Sequence, residues 1–267
     1  MPETGETHPY DRHVGRYGKA LAAGLIEVAG VSPGERVLDV GCGTGQLTAA
    51  LAAVIGSDQV AAVDTSEGVL EVCRERVPEA DVHVASAQAL PFSDGEFDRV
   101  LAQLVINLVD DPPGAVREMA RVARAGGVVA ACFWDDDEMP LLRSLWDAAR
   151  AVAPSALTAV SAQARVGLAE IELLREWWGD AGLRDVVLGE FKVEADYESF
   201  DDLWAPFEAG VGHSGRLFAS LPPKQQQGVR ADARRRLGSP DGPFRLTAKV
   251  RTVRGSKERA AGRITAG

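Results

Sequence analysis

The stretch Val37-Leu38-Asp39-Val40-Gly41-Cys42-Gly43-Thr44-Gly45 decides the fold of this chain of 267 residues. Its first four residues predict a short buried strand, and its three glycines predict a turn that lets a ligand approach bare backbone. Leu47, Leu51 and Val54 then recur at the spacing of one helix face. A strand, a glycine turn and a helix N-terminus in this order indicate a site for an adenosine-containing ligand.

Asp64 provides a second signal for such a ligand, because it follows the next predicted strand, residues 60–63. A carboxylate there can accept hydrogen bonds from both ribose hydroxyls. The spacing Gly-x-Gly-x-Gly departs from the dinucleotide fingerprint. Asp39 would also repel a pyrophosphate, whereas it suits a ligand that carries an ammonium and a sulfonium group. We therefore disfavour a nucleotide-dependent oxidoreductase.

Strands alternate with helices through the first half of the chain. We predict strands at residues 36–40, 60–63, 81–85, 97–105 and 128–133. This alternation predicts a parallel sheet, because parallel neighbours need crossover connections. The predicted fold class is therefore α/β, with a doubly wound, mostly parallel sheet.

The pattern changes after Trp134, where helical spacing takes over and two long helical segments interrupt the strands. Two further strands, at 186–193 and 244–253, bring the predicted sheet to seven. Long insertions in compact domains are usually functional, so we expect the helical ones to form a lid. The predicted division is a single domain 1–267, with a cofactor-binding core at 10–134, helical insertions at 135–180 and 196–240, and a flexible tail at 255–267.

The composition is that of an ordinary globular protein, with 46% hydrophobic and 25% charged residues. A formal net charge of -10 argues against a nucleic-acid partner, because phosphate binding needs clustered Lys and Arg. Residues 1–17 are polar, and no apolar run is long enough to span a membrane. The three cysteines share no metal-ligand spacing, so no metal is expected. We expect a cytoplasmic monomer or homodimer without nucleic-acid or membrane partners.

Four motifs together carry a family resemblance. Residues 37–45 resemble motif I of the class I methyltransferases, and residues 62–66 resemble their motif II. Residues 87–92, followed by Phe97-Asp98, resemble the third and fourth motifs. The pattern most resembles that of the branch containing the ubiquinone/menaquinone-biosynthesis methyltransferases and many bacterial small-molecule methyltransferases. The resemblance implies a Rossmann-like fold and S-adenosylmethionine-dependent methyl transfer to a small molecule, with S-adenosylhomocysteine as the product.

The resemblance also implies which residues hold the cofactor. Asp39 would act on its amino group, directly or through solvent, and Asp64 would hold the ribose. Ser86 stands where the family often has an aspartate for the adenine amino group, so this contact could pass to Gln88 or to water. Arg16 would pair with the cofactor carboxylate, unless its helix is simply solvated. The whole implied set is Arg16, Tyr17, Asp39, Gly41, Cys42, Gly43, Gly45, Asp64, Thr65, Ser66, Ser86, Ala87, Gln88 and Gln103.

The sequence signals for the acceptor site are less specific than those for the cofactor site. Transfer from a sulfonium is an in-line displacement that needs alignment, and a base when the acceptor is a hydroxyl or an acidic carbon. His13 and His213 are the candidate bases, with a surface histidine as the alternative for each. The candidate substrate-binding residues are Trp134, Trp204 and Phe207, with ordinary core packing as the alternative. O-, N- and C-methylation stay open, as does a non-catalytic protein that only binds S-adenosylmethionine.

Overall fold

The computed structural model describes residues 11–160 and 171–259, and these contain seven strands and ten α-helices. The strands are β1 Val37–Val40, β2 Val60–Asp64, β3 Asp81–Val84, β4 Phe97–Gln103, β5 Ala123–Trp134, β6 Leu183–Tyr197 and β7 Phe244–Lys257. The helices are α1 Gly18–Ala29, α2 Gln46–Ile55, α3 Glu67–Arg76, α4 Pro112–Val122, α5 Pro140–Val152, α6 Pro154–Val160, α7 Ile171–Asp180, α8 Phe200–Glu208, α9 Gly212–Ser220 and α10 Pro223–Arg236. The predicted seven-stranded α/β fold is confirmed. No helix among the described residues is long and apolar enough to cross a membrane.

The strand order of the sheet is β3-β2-β1-β4-β5-β7-β6. β1 pairs in parallel with β2 on one side and with β4 on the other. The pairs β2–β3 and β4–β5 are also parallel. The chain therefore builds outward from β1 to β3 and then returns to the other side of β1. This reversal is the position at which open α/β sheets bind ligands, beyond the carboxyl ends of their strands.

The strands β1 and β2 are buried over almost all of their length. All four residues of β1 and the first four of β2 are buried, as expected where helices cover both faces of a parallel sheet. α4 adds Ala115, Val116 and Met119 to the core at helical spacing. One residue breaks this apolar pattern, because Asp39 is a carboxylate in the middle of β1 with no exposed surface.

The described residues divide into two compact units. The first contains residues 11–20, 134–160 and 191–250, and within it α5 packs against α10 and α8 against α9. The second contains residues 21–133, 171–190 and 251–259, including β1 to β4 with α2, α3 and α4. Most of both predicted helical insertions falls in the first unit, and most of the predicted cofactor-binding core falls in the second.

Helix α7 departs from the predicted division. The sequence assigned it to the insertion at 135–180, yet it packs against α4 in the second unit. Trp178 explains this position, because its side chain is fully buried and its indole N–H donates to the carbonyl of Val129, at 3.2 Å. α7 therefore belongs with the sheet. Residues 161–170 of the same insertion lie outside the described residues.

Three strands are longer than the sequence predicted. β5 begins at Ala123 instead of 128, with a register irregularity at its start, and β6 extends beyond 186–193 at both ends. β7 continues to Lys257, so the predicted tail boundary at 255 falls inside a strand. The Lys257 ammonium donates to the carbonyls of Arg121 and Ala123, at 3.0 and 2.8 Å, which holds this end of the strand. Residues 260–267 of the predicted tail lie outside the described residues.

We expect Trp178→Phe to lower the free energy of unfolding by about 1–3 kcal/mol, because a buried carbonyl loses its donor and the site is left partly unfilled. Urea denaturation followed by circular dichroism measures this change. Trp177→Phe is the matched control, since Trp177 is half-buried on the same helix. An equal loss in both variants would contradict the role assigned to the indole hydrogen bond.

Candidate cofactor site

The predicted cofactor residues of the second unit lie at the carboxyl ends of four neighbouring strands. The glycine turn at 41–45 follows β1, and Asp64 is the last residue of β2. Ser86 comes two residues after β3, and Gln103 ends β4. Because these strands pair in parallel in the order β3-β2-β1-β4, their carboxyl ends share one edge of the sheet. The sheet thus gathers residues that are far apart in sequence.

The three glycines of the turn have different roles. All three have positive φ, at 72°, 54° and 81° for Gly41, Gly43 and Gly45. A Cβ on Gly41 would lie 2.4 Å from a methyl of Val105, and one on Gly45 would lie 2.7 Å from the sulfur of Cys73. A Cβ on Gly43 would meet nothing within 4 Å. Gly41 and Gly45 are therefore required by packing, whereas Gly43 offers open backbone that a ligand can approach.

Asp64 ties the glycine turn to the end of β2. One of its carboxylate oxygens accepts from the N–H of Gly43 and the other from the N–H of Ser66, each at 3.0 Å. Each oxygen of a carboxylate has two acceptor sites, so both keep capacity for a further donor. Thr65 and Ser66 follow directly and begin the turn into α3. The geometry suits a pair of hydroxyl donors such as those of a ribose.

Asp39 is fully buried, and only one of its two carboxyl oxygens has a hydrogen-bond partner among the described residues. The hydroxyl of Thr48 donates to Oδ2 at 2.7 Å, while Oδ1 has no hydrogen-bond partner among the described residues. Burial raises the pKa of this carboxyl to about 7, and the hydrogen bond from Thr48 acts in the opposite direction. A buried acceptor without a donor costs free energy, so this oxygen fits a donor that arrives with a ligand.

Gln103 presents a second acceptor of the same kind. Its side-chain carbonyl Oε1 is buried and has no partner among the described residues. Asp39 is paired with Leu101, two residues before Gln103, so both side chains lie on one face of the sheet. Two adjacent strands therefore each offer an unpaired oxygen on that face, which suits an ammonium group with three donors.

The segment after β3 forms a small turn of its own. The hydroxyl of Ser86 accepts from the N–H of Gln88 at 3.2 Å, and Ser86 forms an isolated bridge with Ala89. Ala87 is buried in this turn and Gln88 is exposed. The hydroxyl of Ser86 is therefore already hydrogen-bonded to the backbone of this turn. Contact of these residues with an adenine stays a prediction.

Cys42 packs beneath the turn with little exposure. It belongs to a buried cluster with Ala62, Leu70 and Cys73, against which Val82 also packs. Its thiol interacts with that of Cys73, and this contact together with burial raises the pKa of Cys42. A protonated, buried thiol is a packing group and is not a reactive residue.

Within the first unit, an aromatic cluster surrounds Trp204, with ring centroids of Phe200, Phe207 and Phe218 at 5.4, 4.9 and 5.2 Å. The side chains of Trp204 and Phe207 have no exposed surface, so in this structure they are core residues of that unit. The indole N–H of Trp204 has no partner among the described residues. The predicted contact of this cluster with an acceptor stays a prediction.

The two candidate bases lie against different rings of the first unit. His13 is buried, contacts the edge of Phe207 at 4.6 Å, and has no hydrogen-bond partner on either ring nitrogen among the described residues. Burial lowers its pKa to about 4, so its imidazole is neutral at pH 7. His213 stacks on Trp146 at 5.9 Å instead. A neutral His13 can accept a proton, although its low pKa makes it a weak base.

Arg16 and Tyr17 are held by residues of the first unit. Arg16 forms an ion pair with Asp202 and donates to the carbonyl of Asp196 at 3.1 Å. The Tyr17 ring packs against Trp134 at 5.3 Å, and its hydroxyl contacts that of Tyr197 at 3.4 Å. Trp134 itself is half-buried. These partners account for Arg16 without a cofactor carboxylate, so that pairing stays a prediction.

Comparisons with known proteins decide the family. A model described as a methyltransferase domain matches residues 38–131. Demethylmenaquinone methyltransferase of Clavibacter sepedonicus is 39% identical over 194 residues, which cover 71% of this chain and 78% of that protein. The chain belongs to the class I S-adenosylmethionine-dependent methyltransferases. The predicted family, enzyme class and cofactor are thereby confirmed.

Two further comparisons extend this result to part of a second relative and to a solved structure. The methyltransferase is 34% identical to ubiquinone/menaquinone biosynthesis C-methyltransferase UbiE of Shewanella woodyi over 129 residues, 46% of this chain and 51% of that protein. The chain thus matches about half the length of this relative. Phosphoethanolamine N-methyltransferase 2 of Haemonchus contortus, solved with S-adenosyl-L-methionine, shares the fold. Its TM-score is 0.58 at 18% identity, with 90% of this chain and 53% of that chain covered.

Sequence reasoning missed two residues that shape the cofactor site of the methyltransferase. Thr48 holds the buried carboxylate of Asp39, and Val105 fills the space beside Gly41. A signal for Thr48 was present, because it precedes Leu51 and Ile55 on the buried face of α2, where a hydroxyl needs a buried partner. No comparable signal existed for Val105, since its contact depends on how β4 ends beside the turn.

We expect Asp39→Asn to stabilise the methyltransferase without ligand increasingly as the pH rises from about 4 to about 7. The carboxyl has a higher pKa in the folded protein than in the unfolded chain. Folding therefore favours its protonated form, and its cost to stability appears as the pH passes from about 4 to about 7. Thermal unfolding of both proteins across this range measures the difference. A constant difference in Tm would contradict the titration assigned to Asp39.

Proposed function

We propose that the methyltransferase binds S-adenosylmethionine at the carboxyl ends of β1 to β4 and methylates a small, largely apolar aromatic acceptor of the quinol type. The observation that supports the cofactor site best is the pair of buried, unpaired oxygens on Asp39 and Gln103. They suit the amino group of the cofactor, and Asp64 suits the ribose. Thr65, Ser66 and the turn at 86–88 are proposed to edge the remainder of the nucleoside.

The turn at 41–45 is proposed to carry the methionine portion past bare backbone, with Gly43 as the point of approach. When bound, S-adenosylmethionine supplies a methyl group on a positively charged sulfur, and the acceptor forms a bond to that carbon as the carbon–sulfur bond breaks. The residues of the chain act by holding and aligning the reactants and by excluding water. A quinol-type acceptor also releases one proton, which a base or solvent must take.

The acceptor class rests on two observations of different kinds. The relatives are named for methylation of demethylmenaquinone and for ubiquinone and menaquinone biosynthesis. The first unit is rich in aromatic side chains, and we propose that Trp134, Trp204 and Phe207 contribute to acceptor recognition. His13 is our first candidate for the base because its imidazole is neutral at pH 7, and His213 is the second. We also propose that Arg16 and Tyr17, as the sequence predicts, contribute to binding of the cofactor.

We also propose that the methyltransferase works in the cytoplasm as a monomer or homodimer. Cys42, Cys73 and Cys132 are all free, which fits a reducing compartment. The formal net charge of -10 supports a small-molecule acceptor over a nucleic acid.

Turnover tests the acceptor class. Purified protein is given S-adenosylmethionine with a reduced naphthoquinone that has one free ring position, with a catecholamine, or with phosphoethanolamine, and S-adenosylhomocysteine is measured. We expect product only with the naphthoquinol, with the methyl group on the ring carbon. Product with another acceptor would overturn the quinol assignment. Calorimetric binding of the cofactor without turnover on a wider metabolite panel would favour the non-catalytic alternative.

We expect Gly43→Ala to weaken binding of S-adenosylhomocysteine by about 10-fold or more, because the new Cβ enters the space that the ligand approaches. The residue also has positive φ, so the alanine strains the backbone. Gly34→Ala is the matched control, since Gly34 also has positive φ and nothing within 4 Å of an added Cβ. Calorimetry should show weaker binding only for Gly43→Ala. Equal affinities in the two variants would place the ligand elsewhere.

We expect Asp64→Ala to weaken cofactor binding by about 10- to 100-fold, because the ribose hydroxyls lose a charged acceptor. Asp64→Asn should fall between this variant and the natural protein, since one acceptor oxygen remains. Asp58→Ala removes an exposed carboxylate of the same unit and serves as the control. Unchanged affinity in Asp64→Ala would remove this residue from the proposed site.

A further inference from the structure

A short hydrogen-bonded series runs through the second unit from α3 to β1. The sulfur of Cys73 contacts the hydroxyl of Thr48 at 3.7 Å, and that hydroxyl donates to Oδ2 of Asp39 at 2.7 Å. All three side chains have no exposed surface. Because a threonine hydroxyl has one proton, its donation to Asp39 determines which carboxylate oxygen is occupied.

The series leaves the two oxygens of Asp39 unequal. Oδ2 is held by α2, and Oδ1 is buried without a partner among the described residues. Rotation of the carboxyl group would exchange the oxygens only by breaking a buried hydrogen bond, which is costly. Thr48 therefore fixes the orientation in which β1 presents its free acceptor.

We propose that Thr48 is a positioning residue, which holds the carboxyl group of Asp39 so that Oδ1 stays free to accept from the amino group of the cofactor. This inference rests on the cofactor site proposed above. Thr48 does not touch the ligand, and it acts only through the carboxylate. Its hydroxyl is the side-chain donor that holds Oδ2 of Asp39, at 2.7 Å.

The groups around Asp39 make its ionisation depend on this hydroxyl. Asp64 on β2 and Cys73 on α3 both disfavour a negative charge on Asp39, and the thiols of Cys42 and Cys132 lie close enough for its charge to raise their own pKa. Burial acts in the same direction, whereas hydrogen bonds from the hydroxyl of Thr48 and, more weakly, from its backbone oppose it. Loss of the hydroxyl should therefore raise the pKa of Asp39 beyond its present value of about 7.

Titration calorimetry with S-adenosylhomocysteine tests the proposal, from about pH 6 to about pH 8.5. Affinity should be full above the pKa of Asp39 and fall as the pH drops through it, because the ammonium binds the ionised carboxylate. We expect Thr48→Val to weaken binding about 10-fold at pH 7.5 and to move the midpoint of the pH profile upward by about one pH unit. Thr48→Ser keeps the hydroxyl and should retain the natural affinity and midpoint.

Two variants of Asp39 separate this inference from the site on which it rests. Asp39→Asn should weaken binding and remove the titration near neutrality, and natural affinity in this variant would overturn the proposed site itself. In the double variant Asp39→Asn with Thr48→Val, the second change should add nothing if Thr48 acts through Asp39. An equal further loss in that background would overturn the positioning role while leaving the site intact.

Two further outcomes would overturn the positioning role of Thr48. Weak binding in both Thr48→Val and Thr48→Ser, with an unchanged pH midpoint, would mean that Thr48 acts by packing and would overturn the proposal. Thermal unfolding of each variant reports whether it folds. Should Thr48→Val fail to fold, Thr48→Ala takes its place, since it removes the hydroxyl and the methyl without adding bulk; an unshifted midpoint there would likewise overturn the proposal.

Discussion

The parallel pairing of β1 with both β2 and β4 is the constraint on which the cofactor site depends. It aligns the carboxyl ends of strands that are separated by helices in the sequence. The first two N–H groups of the glycine turn, at Gly41 and Cys42, both donate to the carbonyl of Val63, at 2.7 and 2.9 Å. The turn is therefore fixed to β2 before any side chain contributes, and Asp64 adds a further bond from the same strand.

The central strand includes a group that opposes the stability of the fold. A buried carboxylate with one unpaired oxygen is unfavourable in an apolar sheet, and Asp39 is such a group. Functional sites often retain polar groups of this kind, because a ligand supplies the missing partner. Burial disfavours the negative charge of Asp39 and so raises its pKa. The hydrogen bond from Thr48 favours that charge and opposes part of the rise.

The two units differ in how far their side chains are already satisfied. At the strand ends of the second unit, Asp39 and Gln103 keep unpaired acceptors, and Gly43 keeps open backbone. In the first unit, Trp204 and Phe207 are closed within an aromatic core, and Arg16 has partners of its own. The first unit thus presents a packed structure in which the buried, unpaired ring nitrogens of His13 and Trp204 lie next to Phe207.

The sequence by itself determined the strand, the glycine turn and the acidic residues, because these depend on residue type and spacing within a few positions of the chain. It also predicted seven strands and the family. The tertiary structure alone decided that Gly41 and Gly45 are required by Val105 and Cys73, whereas Gly43 is open. It also placed α7 on the sheet through Trp178 and brought Thr48 to Asp39. These are contacts between distant segments, and their geometry follows from packing, which no local pattern of residues encodes.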